Sequence, residues 1–269
     1  MDEVDQTVVF AVTHDAPALF AVEPTLDGSG SLSFTPADDA YGAAEVTVVA
    51  WDDGGTANGG LDTSDPVTFT LTVTNVNDAP VATDLTRTVA EDTVVVVAAS
   101  DMATDIDGDP LVVTDVGDAY NGTTAVVDDT AVYTPVLDFH GVDAFPVIVS
   151  DPGGLTAMAN VTITLLPVND APALTLPAAI TVTEDAPTQT VALTEISNGA
   201  ADEDQTLTVT ARSTYRVLIP DPAVTYTSPL TTGQLSFKPQ ADRFGSAALE
   251  VIVSDGLSET VATLPVTVT

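Results

Sequence analysis

A chain of 269 residues is too long for one ordinary sandwich domain and fits two or three. Hydrophobic residues make up 45% of it, enough to bury cores, so the formal charge of −35 does not signal disorder. That charge repels phosphate backbones and anionic headgroups, so neither nucleic acid nor a membrane surface is an expected partner, and the lack of cysteine excludes disulfides and thiolate metal sites.

Taken in chain order, the sequence writes one unit repeatedly. The acidic start, Met1-Asp2-Glu3-Val4-Asp5, has no signal-peptide pattern, so an export signal is expected elsewhere. Phe34-Thr35-Pro36 then precedes an acidic, aromatic, glycine turn, Asp39-Ala40-Tyr41-Gly42, and a strand that ends in acid at Trp51-Asp52. Val67-Thr68-Phe69-Thr70-Leu71-Thr72-Val73 alternates apolar and polar residues with period two, the mark of a half-buried strand. A junction, Val76-Asn77-Asp78-Ala79-Pro80, leads to Val89-Ala90-Glu91-Asp92 and to Asp105-Ile106-Asp107-Gly108-Asp109.

The same marks then return. Tyr133-Thr134-Pro135, Asp138-Phe139-His140-Gly141 and Val147-Ile148-Val149-Ser150-Asp151 precede a second junction, Val168-Asn169-Asp170-Ala171-Pro172. Val182-Thr183-Glu184-Asp185, Phe237-Lys238-Pro239, Asp242-Arg243-Phe244-Gly245 and Val251-Ile252-Val253-Ser254-Asp255 complete a third copy. The period is just over about ninety residues. β-branched residues dominate the runs, Gly, Pro, Asn and Asp lie between them, and no 3.6-residue stripe is sustained. The expected fold is all-β, with three sandwich domains at 1–76, 77–168 and 169–269, and the aromatic of each acidic turn packed on its core.

The first unit is read as incomplete. Asp5-Gln6-Thr7-Val8 lines up with Asp204-Gln205-Thr206-Leu207, but almost nothing precedes it, so its opening strands are expected to be missing and residue 1 to be a cut in a longer polypeptide or an internal start.

The Val-Asn-Asp-Ala-Pro junctions, the Val-Ala-Glu-Asp-Thr opening, the Asp105 to Leu111 stretch and the run from Tyr-Thr-Pro to Ser-Asp-Pro-Gly-Gly together resemble bacterial cadherin-like tandem repeats, the Ig-like extender domains of large secreted or surface adhesins. The resemblance covers the whole chain. It implies tandem Greek-key β-sandwiches arranged as a rod, a structural extender or adhesion role at the cell surface or outside the cell, a monomeric fragment of a longer chain, and calcium at the domain junctions.

Carried over residue by residue, that resemblance assigns Glu91, Asp151, Asn169 and Asp170, with Asp202 and Asp204, to the second junction, and Asp52, Asp53, Asn77 and Asp78, with Asp105 and Asp107, to the first. Such acids and amides suit a cation that takes six to eight hard oxygen ligands in irregular geometry. The animal cadherin linker reads Asp-x-Asn-Asp-Asn; here Ala79 and Ala171 replace its last Asn, which leaves fewer ligands. Turn chemistry alone is the competing reading of Asn-Asp before Ala-Pro and of Asp-x-Asp-Gly. An EF-hand at Asp105 is excluded, since that loop requires Gly at its sixth position and Glu at its twelfth.

Catalysis finds little material: His14 and His140 are the only histidines, and no nucleophile elbow, phosphate loop or zinc spacing occurs. No enzymatic activity is expected. The alternatives are a carbohydrate- or partner-binding sandwich, for which residues 54–65 are the best loop and Trp51 the one tryptophan, and a charge that serves adaptation to salt.

Overall fold

The computed structural model describes residues 6–56, 61–201 and 203–269. It is an all-β protein of tandem β-sandwiches. No helix among the described residues is long and apolar enough to cross a membrane.

In the first unit, β1 (Val8–His14), β2 (Phe20–Leu26), β3 (Leu32–Pro36), β4 (Gly42–Asp52) and β5 (Val67–Val73) form a three-stranded sheet, β1-β4-β5, facing the hairpin β2-β3. Alternation sets the register: Val46 pairs with Phe69 and Ala44 with Leu71 on the inner face, while Thr70 and Thr72 face out. The core is small, built on Leu19, Phe20, Ala44, Val46 and Leu71.

The second unit is larger. It contains β6 (Val81–Ala82), β7 (Leu85–Ala90), β8 (Val95–Ala98), β9 (Ala103–Thr104), β10 (Val112–Val116), β11 (Gly122–Val127), β12 (Thr130–Pro135), β13 (Gly141–Ser150) and β14 (Thr156–Leu166). One sheet runs β10-β13-β14-β7 and the other β11-β12-β8, with β7 parallel to β14. Tyr133 and Phe145 stack face to face at 5.5 Å between the sheets.

The third unit repeats this plan with β15 (Ala173–Thr175), β16 (Ile180–Val182), β17 (Gln189–Ser197), β18 (Thr208–Ser213), β19 (Ala223–Thr225), β20 (Gly233–Phe237), β21 (Gly245–Ser254) and β22 (Glu259–Val268). Its sheets are β15-β17-β20-β19 and β16-β22-β21-β18, again with the opening strand β16 parallel to the closing strand β22. The three cores share no residue.

The acidic turns are built alike, with Asp39, Asp138 and Asp242 at φ 56°, 59° and 54° and the glycine after the aromatic at φ 132–136°. Aspartate tolerates the left-handed region better than most residues, and the following position needs glycine. The aromatics differ from the sequence expectation. Phe139 packs on its core, with its ring 3.3 Å from where a Cβ on Gly141 would stand, but Tyr41 and Phe244 are exposed. The reason is position within the turn: Phe139 directly follows the turn aspartate, where Ala40 packs on the first core, whereas Tyr41 and Phe244 stand one residue later, immediately before the glycine, where the second unit carries exposed His140.

Candidate metal centres at the two linkers

Each sandwich has two ends, and strand direction decides which acids meet which linker. β13 starts at Gly141, opposite Leu165 beside the second linker, and runs ten residues to end at Ser150. At about 3.3 Å per residue, Asp151 lies roughly 30 Å from the second linker. It sits instead against the first: the Asn77 side-chain amide donates to the Asp151 carboxylate at 2.8 Å. Asp151 therefore leaves the second-junction set. Its counterpart there is Asp255, which accepts from Asn169 at 3.0 Å and from the Ser258 hydroxyl at 2.8 Å.

Asp52 and Asp53 are misplaced for the same reason. β4 starts at Gly42, opposite Val73, so its acidic end points away from the first linker. There Asp52 accepts Gly54 N–H and Asp53 accepts Thr7 N–H. The acid of the first unit that does reach the linker is Asp39, whose charge is felt at Asp78.

Around the first linker, Asp78 N–H donates to Asp107 at 2.8 Å and Asp107 N–H to Asp105 at 2.8 Å. Asp105, Asp107 and Asp109, all half-buried, bring one carboxylate oxygen each within 4.8 Å of one another. That is about the width of a calcium coordination sphere, given Ca–O distances of roughly 2.4 Å. One oxygen of Asp105 is buried with no hydrogen-bond partner. Burial, then the charges of Asp39, Asp107 and Asp105, holds Asp78 above the usual carboxylate range; burial, then Asp105, Asp107 and Asp151, does the same to Asp109. Asp151 goes the other way. Burial pushes it up, but the Asn77 amide and the Leu155, Gly154 and Gly153 N–H groups outweigh that and lower it.

The second linker is gripped from both sides. Glu91 of the second unit accepts Val168 N–H at 2.5 Å, and Glu203 of the third accepts Asp170 N–H at 2.8 Å. The Gln205 side-chain amide donates to Asn169 at 3.2 Å, and that of Asn198 to the Glu203 carbonyl at 2.9 Å. Each of these four side chains has an oxygen that is buried and unpartnered: Glu91 Oε2, Glu203 Oε2, Gln205 Oε1 and Asn198 Oδ1. The last three residues line a cleft of about 540 Å³. Gly199, at φ +107°, packs so close to the linker that a Cβ would stand 2.4 Å from the Ala171 carbonyl oxygen.

The Asp-x-Asp motif points one residue away from this grip. Val112 pairs with Ser150 and Thr208 with Ser254, so Glu203 corresponds to Asp107 and Gln205 to Asp109. Both bond the linker from the inner face of their loop, whereas Asp204 is exposed between them. Asp202 lies outside the described residues. Sequence reading missed Asp39, Asp109, Asn198, Glu203, Gln205 and Asp255. Strand register, counted back from Ser150 and Ser254, is the signal that finds Glu203 and Gln205.

An orphaned buried acceptor costs free energy unless a donor or a cation satisfies it. One such oxygen, on Asp105, lies in the three-carboxylate cluster at the first linker, and four lie at the second. Among the described residues, the other buried side-chain atoms without a hydrogen-bond partner are His14 Nδ1 and the Tyr226 hydroxyl. His14 ends β1, its Nε2 against the Glu23 carboxylate and its ring edge-on to Phe20 at 4.8 Å. Trp51 is 46% exposed, and part of its neighbouring loop, residues 57–60, lies outside the described residues.

Comparison with known proteins agrees with this architecture. Residues 77–164 match the family model described as a bacterial Ig domain. No curated protein matches the chain. Among solved structures, human CDH23 repeats EC21-23 are similar at 16% identity over 97% of this chain and 88% of that one, with a TM-score of 0.49. Protocadherin Gamma B2 cadherin domains 3-6 share 20% identity over 98% and 67%, at 0.46. An endo-fucoidan hydrolase from glycoside hydrolase family 107 shares 18% identity at 0.28; this chain covers 96% of itself but spans only 38% of that protein's length.

Proposed function

We propose that the chain is a non-enzymatic spacer of a secreted or surface-exposed protein, in which calcium at the linkers locks successive Ig-like, cadherin-like sandwiches into a stiff rod. Its sandwich units are residues 1–76, 77–168 and 169–269. The observation that carries the reading is the set of orphaned oxygens: Asp105 at the first linker, and Glu91, Glu203, Gln205 and Asn198 at the second. Turn chemistry alone explains the hydrogen bonds these residues make and leaves the five unpartnered oxygens without a role.

The second linker shows how the device would act. Glu91 and Glu203 come from different sandwiches and hold N–H groups two residues apart, so an ion shared by their free oxygens would fix the angle between the units. Without it, like charges on both sides favour separation. Small-angle scattering of the full chain in millimolar calcium and then in excess chelator tests this. A longer, narrower distance distribution with calcium supports it; an unchanged profile together with no heat of calcium binding overturns it.

A further inference from the structure

In a chain whose formal charge is −35, the larger sheet of the second unit turns to solvent a face that carries no charge on the adjacent strands β13, β14 and β7. Alternation keeps the one acid of β13, Asp143, buried inside and sends Val142, Ala144, Pro146 and Ile148 out. Every outward residue of β14 is neutral, and Arg87 of β7 pairs with inward Ile163 and reaches Asp101 at 3.5 Å. The corresponding strands of the other units break the pattern. β4 sends out Glu45, and β21 sends out Glu250, which is ion-paired with Arg212.

Register stacks the neutral residues in rows. Val142, Thr164 and Thr88 form one row, and Ala144, Thr162 and Thr86 the next, with Ile148 beside Met158 farther along. Val142 is 62% exposed and Met158 63%. Acids stand around this surface: Asp84 accepts Asn160 N–H at its edge, and Asp115 lies opposite Ile148 on the edge strand β10. A centre depleted of charge inside a polar rim is the anatomy of a protein interface.

The area is sufficient. At about 3.3 Å per residue and 4.8 Å between strands, β7, β10, β13 and β14 make a face of roughly 500 Å². Two such faces cover about 1,000 Å², the size that a specific contact has to reach. By the same measure the unit's other sheet, β8, β12 and β11, offers only roughly 250 Å².

We propose that this face is a contact between two copies of the chain, sheet packed on sheet at a spacing of about 10 Å. Charge selects that occupant. Two acidic chains repel wherever their loops and linkers meet, and this face lets them approach with no carboxylate at its centre. Threonine hydroxyls both donate and accept, so a threonine row can be satisfied by a second copy of itself. A basic partner would find its counter-charges at the linkers and not here. The contact joins two chains side by side through their second units.

Sedimentation equilibrium of the full chain over a concentration series, in about 0.05 M and about 0.5 M sodium chloride, tests this. The expected result is a reversible dimer that tightens severalfold in the higher salt, because salt screens the repulsion and no ion pair crosses the contact to be weakened. Met158→Asp and Val142→Asp, both at exposed side chains, should each weaken the dimer about tenfold or more and leave the unfolding midpoint in place. Val96→Asp, at an exposed valine of β8 on the opposite face, should leave the dimer within about twofold of the parent. A monomer at every concentration and salt overturns the proposal and leaves the face to a different partner. So does a dimer that loosens in the higher salt, that persists in both face variants, or that Val96→Asp weakens as much, since another surface or another force then holds it.

Discussion

The side-chain amide of Asn77 donates to the carboxylate of Asp151 at 2.8 Å, joining the first linker to the far end of a hairpin 74 residues away in sequence. Asn169 repeats the contact on Asp255 at 3.0 Å. A carboxylate that binds protons less tightly folded than unfolded contributes stability above its ordinary range, and that contribution is lost as pH falls through the folded value. Both Asp151 and Asp255 are lowered, Asp255 by Ser258 N–H against the effect of burial, then by Asn169, Leu257 N–H and the Ser258 hydroxyl.

Asn77→Ala removes the donor and leaves the burial. The Asp151 carboxyl should then titrate at higher pH, followed by carbonyl NMR, while Asp255 is unmoved. The acid limb of the unfolding curve should shift upward with it. An Asp151 titration identical to the parent would show that the backbone N–H groups alone set it.

Substitutions at the linkers separate residues that grip from residues that merely lie nearby. Glu203→Gln and Asp105→Asn should each weaken calcium binding by about tenfold or more at their own linker, since each removes a charged ligand. Asp204→Asn and Asp52→Asn should change it less than twofold. Calorimetry decides, and equal losses for Glu203→Gln and Asp204→Asn would remove the assigned register.

The fold was legible because period-two alternation and turn residues are local signals: Val67–Val73 and Val161–Leu165 announce closing strands by themselves. The linker sites were legible only in part. Asn77, Asp78, Asn169 and Asp170 were found from their motif. Asp151 and Asp52 were assigned to the wrong ends because a motif states that an acid follows a strand, not which way the strand runs. Glu203 and Gln205 were hidden by Asp-Glu-Asp, where the more familiar spacing falls on the neighbours of the residues that point inward. The exposed Tyr41 and Phe244 stand one position later in their turns than the packed Phe139, a shift that the shared acidic, aromatic, glycine pattern conceals.

A buried carboxylate that no motif announced sits inside the second unit. Asp143 accepts from the Tyr133 hydroxyl at 3.0 Å and from the N–H groups of Tyr120, Asn121 and Ala144 at 3.1, 2.7 and 2.9 Å. Tyr133→Phe keeps the stacked ring and removes one of four donors, so chemical denaturation should show a loss of about 1–2 kcal/mol. Asp143→Leu strands the three N–H groups and should cost more, about 3 kcal/mol or above. A neutral Tyr133→Phe would mean that water or another group replaces the hydroxyl.

Calcium and protons should compete at the first linker more than at the second. Asp78 and Asp109 both sit above the ordinary carboxylate range, so the folded state binds their protons more tightly than the unfolded chain does. The sign follows: without calcium, ionising these groups costs stability as pH rises through their ordinary range toward the raised folded values, and acidification returns it. A bound cation reverses the cost, because it favours the ionised form, and must expel whatever protons remain. As pH falls into the carboxylate range, calcium binding to the first linker should therefore release protons, giving a heat that varies with the ionisation enthalpy of the buffer, and should weaken steadily on further acidification. At the second linker Gln205 replaces the carboxylate of Asp109 and cannot titrate. Its contribution to proton release is nil. Calorimetry in two buffers, on the parent, Asp109→Asn and Glu203→Gln chains, resolves the two sites. The buffer-dependent part should shrink with Asp109→Asn, which leaves Asp78, and persist in full with Glu203→Gln; the opposite pattern would place the protonated ligand at the second linker.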